Sequence, residues 1–230
     1  MSTTSSPRPA AAARRPQSGP PLLAPVLAFA ALTVAYVVAS RSTPHPDASG
    51  LDVLKYADAH RTTIKVGTFL LFSAAVPLAI SSAVLYRRLR ALGITAPGSA
   101  IALVGGVLAT IALTISAMTA WTGGRLPADA DSALARALAD LSFVSGGPGY
   151  AVTFALLVAG ISVPGLLAGL LPRALAWTGL VLAAVGMLSA LTLLASGFSY
   201  LLPVVRFGGT VWLVAAAALM PRTRPRTAHT

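Results

Sequence analysis

Asp58 and His60, one residue apart in "YADAH", come nearest in this sequence to a pair that could move a proton or hold a metal ion. Asp140 in "ALADL" is a further carboxylate, and Arg206 in "VVRFGG" is a cation placed inside an apolar run. Together the four would make an acid/base or metal set if the fold gathered them. Their spacing is not that of a known device: there is no HExxH, no histidine pair at i and i+4, no acidic metal loop and no Gly-x-Ser-x-Gly elbow. A solvated histidine at an interface is the plainer reading of His60, and neither a metal nor a cofactor is expected. The chain has no cysteine and no glutamate, so thiolate chemistry is excluded and six aspartates are the only side-chain carboxylates.

The elements that would position these residues follow from composition. Hydrophobic residues make up 56% of 230 and charged residues only 10%, where a soluble globular domain carries roughly 25% charged. That is the composition of a chain whose solvent is the bilayer. The net charge of +11 would suit nucleic acid, yet the basic residues sit in tails and short turns beside apolar runs rather than in a stripe with interleaved aromatics. No nucleic-acid partner is expected. Asparagine is absent as well, which removes any N-glycosylation site.

A helix needs about 20 apolar residues to cross roughly 30 Å of hydrocarbon. Six runs qualify, near Leu22–Ser40, Val66–Tyr86, Ala100–Trp121, Tyr150–Leu171, Ala174–Ser196 and Tyr200–Met220. They lack the period-2 alternation of barrel strands, so the expected fold is all-α: a polytopic bundle of six transmembrane helices over residues 21–221. Residues 1–20 read as a disordered cytoplasmic tail and 222–230 as a basic cytoplasmic tail. The pair Arg14-Arg15 lacks the apolar continuation of a twin-arginine signal, and the first apolar run is longer than a signal-peptide core. Arg8, Arg14, Arg15, Arg87, Arg88, Arg90, Arg173 and the arginines after Pro221 fall on one side of this topology; Arg41, Lys55, Arg61, Lys65, Arg125 and Arg136 fall on the other, together with all six aspartates. By the positive-inside rule both termini are cytoplasmic, in the plasma membrane.

Two segments on the opposite side read as amphipathic helices, one starting near Leu51 and one carrying a stripe of Leu134, Leu138 and Leu141. Asp52 suits a helix start, Asp129 or Asp131 can cap the second segment, and "HPD" at His45–Asp47 is a turn. "SGGPG", Ser145–Gly149, is expected to break the chain before the fourth span, as a hinge or an anion-holding nest. Gly165 and Gly169 form a GxxxG, and Gly179, Ala183, Gly186 and Ala190 share a face, so close packing within the bundle comes first and a homo-oligomer or membrane-protein partner second. Pro77 and Pro164, each followed by a basic turn and a glycine-bearing helix, echo one another as duplicated hairpins do. Arg206 is expected to face the bundle and pair with Asp140 first or Asp58 second; snorkelling to the interface is the competing reading.

The stretches "AHRTTIKVGTFLLFSAAVPLAI", "LSFVSGGPGYAVTFALL", "LLPRALAW" and "YLLPVVRFGG" resemble a group of uncharacterised, chiefly actinobacterial, integral membrane proteins classed as a domain of unknown function. The resemblance spans roughly Pro44–Pro221. It implies a membrane-embedded helical bundle and carries no activity to any residue. The sequence therefore points to a non-enzymatic membrane protein engaged in interaction, sensing or envelope homeostasis. Two alternatives stay open: a small transporter, and a membrane enzyme using the Asp, His and Arg candidates.

Overall fold

The computed structural model describes residues 21–221; the tails assigned to 1–20 and 222–230 lie outside the described residues. Nine α-helical segments occur among them: α1 (Leu23–Ala39), α2 (Gly50–Ala59), α3 (Arg61–Ala91), α4 (Gly98–Gly123), α5 (Ser132–Val144), α6 (Tyr150–Leu167), α7 (Arg173–Leu188), α8 (Leu201–Pro203) and α9 (Gly209–Leu219). No strand is present among the described residues. Five continuous helical stretches are long and apolar enough to cross a membrane: 61–91, 98–123, 132–167, 173–193 and 196–219. At 17 residues α1 is shorter, about 26 Å at 1.5 Å per residue.

The long helices close into a ring. α1 packs on α3, α3 on α4, α4 on α6 and α6 on α7, while α9 joins α7 back to α1. Phe29 of α1 faces Phe154 of α6 across the interior, with ring centroids 6.3 Å apart. Leu78, Leu157, Ile161 and Leu213 complete a fully buried centre. Small and hydroxylated residues such as Ala102, Ala109, Ser82, Ser116 and Thr210 lie inside, while Phe69, Val104, Val181 and Val211 point outward. Large aliphatic side chains on the outside of a helical ring leave an apolar perimeter far larger than a water-soluble monomer tolerates. A bilayer supplies the matching solvent.

Close helix approach uses different glycines from those the GxxxG suggests. A Cβ on Gly105 would stand 2.4 Å from the Leu157 nitrogen, and one on Gly160 would stand 2.4 Å from the Ala102 nitrogen, so α4 and α6 touch backbone to backbone. Gly169 lies beyond the end of α6 with φ +63°, where it caps the helix, and a Cβ there would meet nothing. The Leu170 N–H donates to the Gly165 carbonyl at 2.9 Å, the six-to-one bond of a Schellman cap. Gly93, φ 87°, ends α3 in the same way through Ile94 and Leu89. The helices that carry Pro77 and Pro164 therefore both turn into their successors by one device. On α7 the small-residue face Gly179, Ala183 and Gly186 is buried, but Ala190 leaves it because the helix tightens to 3₁₀ at Ser189–Leu193.

The expected break at "SGGPG" does not occur. Ser145–Gly149 forms one π-helical turn, and the chain runs as a single 36-residue helical stretch from Ser132 to Leu167. Pro148 cannot donate the bond an α-helix would require of it, and a widened turn accommodates both the missing N–H and the ring. Flanked on both sides by apolar helix, the segment keeps its backbone bonds within the chain, where the same residues in a soluble loop would not.

Candidate functional site

At the end of the ring where α2 lies, the helices part around a cavity of about 590 Å³. Its walls come from α1, α3, α4, the α5–α6 helix and the α8–α9 segment; α2 and the 40–46 loop roof it, presenting Val53, Tyr56 and Ala57. Sequence explains the roof. Ser49 caps α2, accepting from the Asp52 N–H at 3.2 Å while its hydroxyl donates to the Asp52 carboxylate at 2.7 Å. Asp131 caps α5 by accepting from the Ala133 N–H at 2.8 Å. The two capped ends press together so closely that a Cβ on Gly50 would stand 2.2 Å from the Ser132 carbonyl oxygen. Arg136 on α5 donates to the Ala48 carbonyl and to the Asp140 carboxylate, the latter at 2.9 Å. Arg61 links the other end of the roof, donating to Asp58 at 2.9 Å and to the Leu126 carbonyl at 3.1 Å.

Arg206 lies in the wall of this cavity, half-buried. It belongs to a second π-helical turn, Val204–Gly208, which joins α8 to α9. Its Nη2 donates to the Gly146 carbonyl in the first π-helical turn. The local backbone explains why that oxygen is open to it. In α register the Tyr150 N–H would bond Gly146; in the widened turn it bonds Ser145 and Gly147 instead. The guanidinium carbon sits 5.2 Å from the Tyr150 ring centroid and 5.8 Å from that of Tyr36, within the reach of cation–π attraction. The Tyr150 hydroxyl is buried near Thr210, and no partner among the described residues meets hydrogen-bond geometry with it. The Thr210 hydroxyl itself donates to the Arg206 carbonyl at 2.6 Å.

The four candidates do not converge. Arg206 forms no ion pair with Asp140 or Asp58: each carboxylate is held by an arginine on its own or the adjoining helix, Asp140 by Arg136 and Asp58 by Arg61. The physical reason is proximity along the chain. Arg136 and Asp140 are one helical turn apart, a pairing that costs little ordering entropy, whereas Arg206 would have to reach across the cavity mouth. His60 ends α2, its ring stacked on Tyr56 at 4.3 Å and its Nδ1 3.1 Å from the Tyr56 carbonyl. Neither His60 nor Asp58 lines the cavity, whereas Asp140 and Arg206 both do. No group of three metal-binding side chains occurs among the described residues. "HPD" is a turn, closed by Ala48 N–H to His45 carbonyl at 2.9 Å.

The stripe expected on the second amphipathic segment is also displaced. Ala135 is the buried position of α5, while Leu134 and Leu141 are each 49% exposed. Gly50 of α2 approaches closely here, and Leu134 and Leu141 turn outward while Leu138, the third residue of the expected stripe, is half-buried in the cavity lining. Tyr36 and Tyr150 were not singled out in the sequence, whereas Gly146 lies in the segment expected as a hinge or an anion-holding nest. A signal existed in "SGGPGY": a proline inside an apolar stretch frees carbonyls, and a tyrosine follows one residue after the glycines.

Fold and site together define an all-helical protein with membrane-length apolar helices and a cavity, cation in its wall, at one end of the bundle. Comparison with family models, with curated proteins and with solved structures returns no significant match.

Proposed function

We propose that this chain is a six-span plasma-membrane protein that binds a small molecule without transforming it, in the cavity roofed by α2. One observation carries the reading: an arginine stands in the cavity wall, bonded to a peptide oxygen rather than to a carboxylate. A volume of about 590 Å³ falls within the roughly 300 to 1,000 Å³ of small-molecule sites. Of the residues that could act as acid or base, Asp58 and Asp140 are engaged by arginines, His60 by Tyr56, and the cavity-lining His45 by Asp47 at 3.3 Å. That favours recognition, as in sensing or in the receptor half of transport, over catalysis. The Lys/Arg bias of the sequence places the roofed end outside and both termini in the cytoplasm.

The cysteine-free chain makes the test direct. Thr119→Cys and Ala139→Cys, both in the cavity lining, are expected to react with a membrane-impermeant thiol reagent added outside intact cells. Leu78→Cys in the centre should not react, and Ala96→Cys in the exposed α3–α4 turn should react only after permeabilisation. Silent cavity positions would overturn the binding site, and the reverse sidedness would overturn the orientation.

A further inference from the structure

We infer that the cavity is built for an amphiphile with a single oxyanion head, a carboxylate or a phosphate, held by Arg206 while an apolar body occupies the space under α2. This rests on the cavity being a binding site.

The head group follows from the state of the guanidinium. Arginine carries five N–H donors in a planar fork, and among the described residues its guanidinium hydrogen-bonds to the Gly146 carbonyl alone. A peptide oxygen satisfies a donor and leaves the charge uncompensated. Among the described residues no carboxylate lies within ion-pair distance of Arg206. Tyr150 and Tyr36 flank the group at 5.2 and 5.8 Å, an attraction that does not neutralise its charge. An unpaired cation at membrane depth is expensive, and such groups face cavities where an anion completes them. The fork geometry matches the paired oxygens of carboxylate or phosphate.

Two further features agree with this head group. Tyr150 lines the same wall, and its buried hydroxyl, beside Thr210, has no partner within hydrogen-bond geometry among the described residues. Two π-helical turns meet at this point, and such turns recur at functional sites because they expose backbone groups that α register would consume. Asp140, the one carboxylate in the lining, is compensated by Arg136 at 2.9 Å and so does not oppose an anion at Arg206.

The body follows from the rest of the wall. Val37, Val53, Ile64, Leu138, Phe143 and Leu202 line the space. A free inorganic anion would leave most of about 590 Å³ empty or wet. An alkyl or isoprenoid chain would fill it. Membrane lipids are one source of such molecules and solutes from the exterior another, and the chemistry is the same for both.

The test uses the purified full chain in a neutral maltoside detergent, with thermal unfolding and competition binding as readouts. The probes are decyl phosphate, decanoate, decanol, decyltrimethylammonium and inorganic phosphate. Decyl phosphate and decanoate are expected to stabilise the protein and compete with each other; decanol and the ammonium probe should do neither. Arg206→Gln should weaken both anionic probes by about ten- to a hundredfold, the worth of hydrogen bonds to a charged group. Arg206→Lys, which keeps the charge and loses the fork, should fall between and serves if the glutamine variant does not fold. Equal binding of decanol, or undiminished binding in both variants, overturns the oxyanion head. Stabilisation by inorganic phosphate equal to that by decyl phosphate overturns the apolar body. If no probe binds, the inference falls, and labelling at Thr119→Cys decides separately whether the cavity reading survives. Binding to the protein in vesicles of phosphatidylglycerol but not of phosphatidylcholine assigns a lipid source; binding of added decyl phosphate in both assigns a solute.

Discussion

Arg206 and Gly146, sixty positions apart in sequence, are joined by a hydrogen bond between two π-helical turns, guanidinium to peptide oxygen. Each turn displaces its helix from α register where the other element needs a group. The bond ties the α8–α9 segment to the α5–α6 helix beside the cavity, at a place where ordinary α-helices would have shown each other only satisfied backbone.

Breaking that bond should therefore cost stability as well as ligand. Arg206→Met removes the donor and leaves a carbonyl that α register would have satisfied, so a loss of about 1 to 3 kcal/mol is expected. Thermal unfolding in neutral detergent, with no anionic amphiphile present, measures it. An unchanged midpoint would mean that the bond contributes nothing and that cavity water replaces it.

Asp140 belongs energetically to Arg136. A double-mutant cycle of Arg136→Ala with Asp140→Ala should return a coupling of about 0.2 to 1 kcal/mol, the range of partly exposed pairs; the two side chains are 34% and 48% exposed. The cycle of Arg206→Ala with Asp140→Ala should return none. A larger coupling in the second cycle would put the carboxylate at Arg206 and remove the grounds for an external anion.

The orientation of α5 gives a third measurement. Ala135→Cys should react slowly with a water-soluble thiol reagent and Leu134→Cys faster, because the former is 2% and the latter 49% exposed. Faster reaction at Ala135 would mean that α2 does not rest on α5.

Long apolar runs made the helices of membrane-crossing length legible, five of the six expected, because length and composition alone determine what can cross a bilayer. The helix starts were legible in part: Asp52 and Asp131 stand where their types suggest, while the capping side chain of α2 is Ser49, which the sequence did not single out. "SGGPG" misled because glycine and proline break helices in water, where freed backbone groups find solvent, whereas here the chain absorbs Pro148 in one widened turn. Arg206 was recognisable as a cation in the wrong solvent, but its partner was a carbonyl released by that unforeseen turn, and carbonyls carry no signature in a sequence. The Arg136–Asp140 pair was readable from its four-residue spacing and was passed over in favour of a longer-range match. Small-residue motifs proved ambiguous, since glycine serves close approach at Gly105 and a left-handed cap at Gly169, and spacing does not separate the two uses.

That last distinction yields a prediction about how the ring is held. At Gly105 a Cβ would stand 2.4 Å from a backbone nitrogen of α6, an atom that cannot swing aside, so Gly105→Ala must push α4 away from its neighbour along a crossing that Gly160 makes equally tight. The expected cost is about 1 to 3 kcal/mol, that of overpacking a core. Gly169→Ala meets no atom but has φ +63°, so its cost of about 1 to 2 kcal/mol arises from the left-handed conformation alone. The two differ in what rescues them. Gly169→Asn should recover most of the second loss, since asparagine tolerates that conformation, whereas Gly105→Asn should be worse than Gly105→Ala because it adds bulk and a polar group to the contact. Gly197→Ala, with nothing within 4 Å, should stay within about 0.5 kcal/mol of the parent. Thermal unfolding of the five variants in one detergent separates these causes, and a Gly105→Ala midpoint equal to that of Gly197→Ala would mean that α4 and α6 do not meet backbone to backbone.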